Sequence, residues 1–219
     1  MRYQDLYDEM INGTARDSLP GWARGVLEAI GSGDSPVTAV RHPLGFLCLP
    51  LERTEEHGVC VHVWSGTLPH AASTTSQIHC HSWDLISHVL YGRVENVRAD
   101  VSDTTSAVTH RIFEVVSETD GDRIRPTPRT VRCDWGTSEV FGPGQTYTLP
   151  AGVFHSSLIP GDGETATIAL GRGRPGHSDL SLGPPDLPAH LISRYRCDAR
   201  ETARVALHAA GHLVWEDLV

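Results

Sequence analysis

The spacing of apolar residues first indicates helices at the start of the chain. In residues 1 to about 40, apolar side chains recur three or four positions apart, which is the helical period. The members of this pattern are Leu6, Met10, Ile11, Trp22, Val26, Leu27 and Ile30. The pattern is broken near Leu19-Pro20-Gly21, because proline and glycine both disfavour a helix interior. The sequence therefore predicts two short helices that cover another part of the protein.

From Leu44 to Leu170 the period changes to two, which is the period of a strand. Short segments rich in β-branched residues alternate apolar and polar positions, and Gly, Pro, Asp or Ser separates them. The clearest are Gly58–Trp64, Leu85–Tyr91, Arg111–Val116 and Glu164–Leu170. Many short strands with turn residues between them predict an all-β core, built as a sandwich or barrel.

These changes of pattern predict four segments in one chain. They are an N-terminal helical segment (1–40), a barrel (41–172), a Pro/Gly-rich connector (173–188) and a C-terminal helix (189–219). The C-terminal helix is expected from Ala189 onward. The polar stretch from Ser117 to Arg129, which contains Asp120-Gly121 and two prolines, is predicted to be a hairpin loop or lid.

Composition limits the classes of partner. The chain has 219 residues, of which 39% are hydrophobic, enough for one domain with a substantial core. Its net charge of −9, without a block of Lys or Arg, argues against binding to nucleic acid or an anionic membrane. Because the sequence shows neither an apolar signal region nor a long apolar run, we expect a cytoplasmic protein. Its 5 cysteines share no Cys-x-x-Cys spacing and are predicted to be reduced thiols.

Three histidines are candidate metal ligands. His79 and His81 lie two residues apart, so on a strand both side chains project from the same face. His155 follows a predicted strand and a Pro150-Ala-Gly152 turn, which is how a hairpin delivers a third ligand. Three neutral imidazoles bind iron, zinc, copper or nickel and leave positions open for water, oxygen or substrate.

These segments resemble the two sequence motifs of the cupin superfamily. The second motif is Gly, five residues, Pro-x-Gly, two residues and His, and it is matched in full by Gly144, Pro150, Gly152 and His155. The first motif is matched in part, by His79, His81 and Gly92. The resemblance covers roughly residues 45 to 172. It implies a cupin jelly-roll (double-stranded β-helix) barrel, here with N-terminal and C-terminal helical segments.

The chain departs from the first motif at the acidic ligand. Counting back from Gly92, the glutamate position of the family falls at Leu85, and Asp84 lies one residue too early. The chain therefore resembles the three-histidine cupins, of which the thiol dioxygenases are the best-known members. His88 has the parity opposite to Leu85 and should leave the interior if Leu85 faces inward, so it is a weak ligand candidate.

The resemblance implies a mononuclear non-haem Fe(II) oxygenase or dioxygenase that acts with dioxygen on a small polar metabolite. Two other functions stay open at this stage. One is a Lewis-acid enzyme, an isomerase, cyclase or hydrolase, that uses zinc or iron. The other is a non-catalytic protein that binds metal and ligand. A homodimer is expected only at the level of the family.

Four further residues are candidates for the site. Tyr147 would place its hydroxyl near substrate or oxygen, although a core tyrosine is equally compatible with the pattern. Asp84 would accept the free N–H of His79 or His81 and fix its tautomer, or else serve in a turn. Gln77 shares the parity of the two histidines and is predicted to line the substrate pocket with Leu85.

A second histidine pair stands near the end of the chain. His208 and His212 are one helical turn apart and therefore share a helix face on which a metal can bind. No glutamate follows His208, however, and Gly211 weakens the helix, so a solvated or packed pair is favoured.

Overall fold

The computed structural model describes residues 1–118, 121–161 and 163–213. Within these ranges no helix is both long and apolar enough to cross a membrane. The same ranges form three helices and fourteen strands in the following order: α1 (Tyr3–Asn12), α2 (Ala15–Ser32), β1 (Val40–Arg41), β2 (Leu47–Arg53), β3 (His57–Trp64), β4 (His79–Cys80), β5 (Trp83–Tyr91), β6 (Val94–Asp103), β7 (His110–Glu118), β8 (Gly121–Phe141), β9 (Thr146–Leu149), β10 (His155–Leu158), β11 (Thr165–Gly173), β12 (Leu180–Gly183), β13 (His190–Ser193), β14 (Tyr195–Arg196) and α3 (Ala199–His212).

The described strands form two antiparallel sheets of seven strands each. The order is β14-β1-β2-β3-β11-β5-β9 in the first sheet and β13-β8-β6-β10-β4-β12-β7 in the second. The long strand β8 pairs with β7 through its first half and with β6 through its second half, so six strands of the second sheet form a closed circuit. This all-β jelly-roll core, flanked by helices at both ends, confirms the predicted fold class.

The N-terminal helices cover the outer face of the first sheet. Buried residues of both helices share one apolar cluster with alternate residues of the sheet, such as Val61 and Ile168. The predicted break near Pro20 is wrong. The chain turns at Gly13, whose φ of 78° is the left-handed conformation that ends α1, and Pro20 lies inside α2. Proline there removes one backbone hydrogen bond, while buried Leu19 and Ala23 hold the helix on the sheet on both sides of it.

The opposite face of the first sheet lines the barrel interior. On β5 and β9, Leu85, Val89, Tyr147 and Leu149 belong to one buried cluster. Val94 of the second sheet joins the same cluster, so the interior lies between the two sheets.

The region after the barrel differs from its prediction. The predicted connector contains β12, which pairs with β4 and β7, and the predicted helix from Ala189 begins only at Ala199. Residues 190–193 pair with β8 instead. The helix starts late because the Asp198 carboxylate accepts the Glu201 N–H at 2.7 Å and fixes the helix start there. The predicted end of this helix, residues 214–219, lies outside the described residues. The division into four segments stays a prediction.

The polar stretch from Ser117 to Arg129, predicted to be a hairpin loop or lid, is strand at residues 117–118 and 121–129. It belongs to β7 and β8, which pair from Ser117↔Asp122 onward, while residues 119 and 120 lie outside the described ranges. Pro128 is accommodated because the register shifts between the pairs Arg111↔Thr130 and Phe113↔Pro126. Such a bulge leaves residues of one strand unpaired, so a missing N–H is tolerated there.

Candidate metal centre

The structure brings His79, His81 and His155 together. His79 lies in β4, His81 follows β4 directly, and His155 is the first residue of β10, where it pairs with His79. One ligand nitrogen of each ring lies within 4.8 Å of those of the other two. The ring centroids of His155 are 4.4 Å from His79 and 5.2 Å from His81. One metal ion can therefore be coordinated by all three imidazoles.

The turn before β10 explains why the glycine spacing matters. The Gly152 N–H donates to the carbonyl oxygen of His81 at 2.9 Å, which ties the turn to the segment that carries the first two ligands. Gly152 has φ = +78°, and a Cβ on it would lie 2.9 Å from the ring of His177. Both the backbone conformation and the close approach require glycine. The turn therefore sets where His155 enters the site.

Hydrogen bonds leave the Nε2 atoms of two rings free. His79 Nδ1 lies 2.9 Å from the carbonyl oxygen of Gln77, and His155 Nδ1 lies 3.0 Å from that of Val153. Because a carbonyl oxygen only accepts, each Nδ1 carries the proton and donates it. Each Nε2 then keeps a lone pair for a metal, and the backbone rather than Asp84 fixes the tautomer.

The three rings are neutral at neutral pH. Burial lowers the pKa of His79, although the Gln77 carbonyl partly offsets this effect. Burial, together with the neighbouring His79 and His155, holds the pKa of His81 well below its ordinary value. Burial, followed by His79, lowers the pKa of His155 to about 3. Since only neutral imidazole binds a metal, the site is prepared for one across the physiological pH range.

Trp83 fixes the third ring by stacking. The rings of His81 and Trp83 have centroids 4.0 Å apart and an interplanar angle of 26°. A Cβ at Gly171 would lie 2.8 Å from the indole of Trp83, so the indole also packs against a bare backbone. This packing limits the movement of the His81 ring.

Neither Asp84 nor Leu85 provides a ligand to the three-histidine group. The carboxylate of Asp84 accepts the Ala151 N–H at 2.9 Å and pairs with Arg174, so the predicted bond to His79 or His81 is wrong. Asp84 instead holds the turn that precedes His155. Leu85 lies in the interior cluster opposite Leu149 and brings no carboxylate to this position. No carboxylate belongs to the metal-binding group within the described residues.

Tyr147 lies in the barrel interior, and Gln77 lies at the surface beside His79. The buried ring of Tyr147 packs on Phe141, and its hydroxyl is close to the side chains of Ser87 and Asn96. Burial raises the pKa of the phenol, and the two polar side chains partly offset this effect. Gln77 is exposed and lines an outer groove of about 480 Å³ with residues such as His70 and Ser73. Its contact with the centre is through the backbone carbonyl that holds His79.

His88 lies apart from the metal-binding group. It is fully buried on the helix-covered face of β5, where Nδ1 is 2.9 Å from the hydroxyl of Thr146. Burial lowers the pKa of His88 to about 4. Among the residues the structure describes, its Nε2 has no hydrogen-bond partner.

A second group of possible ligands, which the sequence motifs do not include, lies inside the barrel. Cys48, Cys60 and His62 offer ligand atoms within 4.8 Å of one another. They lie on the face of β2 and β3 opposite Val61, and Phe46 packs on the ring of His62 at 4.4 Å. The sequence signal for this group is the alternation of Val with Cys60 and His62 along β3, which places Cys60 and His62 on one face. Arg98 is the strand partner of His155 on β6, and its positive charge helps to lower the pKa of the His155 ring.

Comparison with solved structures finds matches that include two proteins of low sequence identity. No family model and no curated protein matches the chain. The solved structure of KdgF from Halomonas sp. matches with 11% identity and a TM-score of 0.32, over 60% of this chain and 82% of that chain. A cupin-like protein from Thermotoga maritima matches with 11% identity and a TM-score of 0.31, over 72% and 84% of the two chains.

Proposed function

We propose that the protein is a metal-dependent enzyme of the cupin type, with one transition metal ion held by His79, His81 and His155. The observation that carries this proposal is the convergence of three neutral rings, two of them with Nδ1 bonded to a backbone carbonyl. A packed histidine cluster without a metal would not need two of its rings to be held through Nδ1 with the Nε2 lone pair left free.

The proposed reaction is oxidation of a small polar metabolite, with iron(II) as the metal. Iron bound by three imidazoles supplies Lewis acidity toward the substrate and one-electron chemistry toward dioxygen. Because the ligand group contains no carboxylate, the positive charge of the ion is not compensated by the protein. The site therefore favours a substrate that brings an anionic atom, such as a thiolate, alkoxide or carboxylate.

The protein residues around the centre suit such a substrate. Leu85, Val89 and Leu149 line the interior with apolar surface, which excludes water. Tyr147 adds a hydroxyl that is protonated at neutral pH and is therefore able to donate a hydrogen bond, and burial raises its pKa further. His79 and His81 are only partly buried, whereas His155 is buried, so substrate approaches from the side of the first two ligands.

Oxygen uptake tests the reaction class. Apoprotein is loaded with iron(II) or zinc(II), and uptake is measured with a panel of small thiols, hydroxy acids and carboxylates. We expect the iron form to consume oxygen slowly alone and much faster with its substrate, and the zinc form to be inactive, because zinc cannot change its redox state. Equal turnover by the zinc form, under argon as well as in air, would instead establish a Lewis-acid enzyme.

A further inference from the structure

We propose a second metal site, formed by Glu164, His208 and His212, that takes a divalent transition metal ion such as Zn²⁺ and ties the C-terminal helix to the barrel. This site is separate from the three-histidine centre and does not depend on the proposed function. The two histidines are the pair that the sequence pattern left as solvated or packed.

The three side chains converge on one point. His208 Nε2 lies 2.7 Å from Glu164 Oε2, and His212 Nε2 lies 3.7 Å from the same oxygen. A zinc ion about 2.0–2.1 Å from nitrogen and oxygen ligands separates neighbouring ligand atoms of a tetrahedron by about 3.3 Å. The two observed distances lie on either side of this value. Small side-chain rotations are therefore enough to bind an ion.

The helix and the strand each hold their ligands in place. His208 and His212 lie four residues apart in the last turns of α3, so both rings project from one helix face, and their centroids are 5.0 Å apart. The ring of His212 also stacks on buried Tyr91, with centroids 4.6 Å apart and an interplanar angle of 20°. Glu164 stands directly before β11, and its second carboxylate oxygen accepts the Ser65 hydroxyl at 2.7 Å. Such supporting contacts orient ligands before a metal binds.

Two histidines and one carboxylate form a ligand set that zinc accepts. The fourth position is left to water, as in zinc sites with three protein ligands. The side chains remain 24%, 37% and 16% exposed for His208, His212 and Glu164, so an ion has a path from solvent. An ion bound there would fix the end of α3 to the edge of the barrel.

A simple ion pair between a histidine and a glutamate would not predict this arrangement. The chain contains one for comparison, because His57 Nε2 lies 2.9 Å from Glu52 Oε1 with similar exposure of the side chains. That pair has a single histidine and belongs to no group of three ligands among the described residues. It therefore provides a matched control.

The test compares metal binding in the full-length wild type and three variants. His212→Gln removes one ligand and leaves the close His208–Glu164 contact in place, while Glu164→Gln keeps the side-chain shape and removes the charge. His57→Gln is the control. Each protein is incubated with excess Zn²⁺, desalted and analysed for zinc, and the melting temperature is recorded with and without the ion. Circular dichroism checks that each variant is folded.

We expect the wild type and His57→Gln to retain one more zinc per chain than His212→Gln and Glu164→Gln. Saturating Zn²⁺ should raise the melting temperature of the first two proteins by roughly 5 °C more than that of the other two. With cobalt(II), the wild type should show the intense visible absorption bands of a four-coordinate ion. The part of this absorption that comes from the Glu164–His208–His212 site should be absent in His212→Gln. If folded His212→Gln retains as much zinc as the wild type, with an equal shift in melting temperature, the site does not exist.

Discussion

The buried histidine on β5 makes the stability of the protein depend on pH in a measurable way. His88 is fully buried, its pKa is lowered from 6.5 to about 4, and burial is the cause. In the unfolded chain the same ring binds a proton near its ordinary pKa. Between these two values the unfolded state therefore holds more protons than the folded state, and acid favours unfolding.

The size of the effect follows from the gap between the two pKa values. Each pH unit of difference corresponds to about 1.4 kcal/mol, so the gap gives a full loss of roughly 3 kcal/mol. The loss begins as the pH falls through 6.5 and levels off below about 4. Between pH 7 and pH 5 we expect a loss of about 2 kcal/mol from His88 alone.

The substitution His88→Asn tests this reasoning, because asparagine keeps a polar atom toward Thr146 and does not titrate. Urea unfolding of metal-free protein is measured at pH 7 and pH 5. The free energy of unfolding should fall with acid by about 2 kcal/mol more in the wild type than in His88→Asn. Thr146→Val removes the hydrogen-bond partner but keeps the imidazole, so it should behave like the wild type in pH dependence. Equal falls in the wild type and in His88→Asn would refute the reasoning.

Three further substitutions probe the site. Leu85→Glu should retain metal but slow oxygen uptake, because the new carboxylate would occupy a coordination position on the metal that the substrate needs. Unchanged uptake would show that Leu85 does not face the metal. Tyr147→Phe should slow the reaction by about ten- to a hundredfold without releasing metal if the hydroxyl orients substrate or transfers a proton, which steady-state kinetics and metal analysis decide. Gly152→Ala should lower the free energy of unfolding by about 1–2 kcal/mol and weaken metal binding, since alanine disfavours φ = +78° and meets His177; thermal unfolding and metal titration measure both effects.

Much of the fold could be predicted from local pattern. Strand β3 alternates in burial, and Gly152 of the second motif is required by its positive φ. The convergence of His79, His81 and His155 followed from the same motif spacing. These features depend on residues close together in the sequence, which is why the sequence carries them.

The rest depends on distant partners. Residues 190–193 form a strand because they pair with β8, which is distant in the sequence. The carboxylate of Asp84 binds Ala151 and Arg174, which are also distant in the sequence, and not the neighbouring histidines. The pairing of Glu164 with His208 likewise joins parts of the chain that no local pattern connects. Periodicity reports which face a side chain occupies, but not which distant group it meets there.

Metal content is the most direct test of the central claim. Wild-type protein and the His155→Ala variant, both purified without a metal-binding tag and shown to be folded, are loaded with iron(II), desalted and measured by elemental analysis. If His79, His81 and His155 hold one ion, the wild type will retain one more iron per chain than His155→Ala, and the variant will bind at this centre at least about tenfold more weakly. Equal iron content and affinity in the two proteins would contradict the assignment of the three histidines as a metal centre.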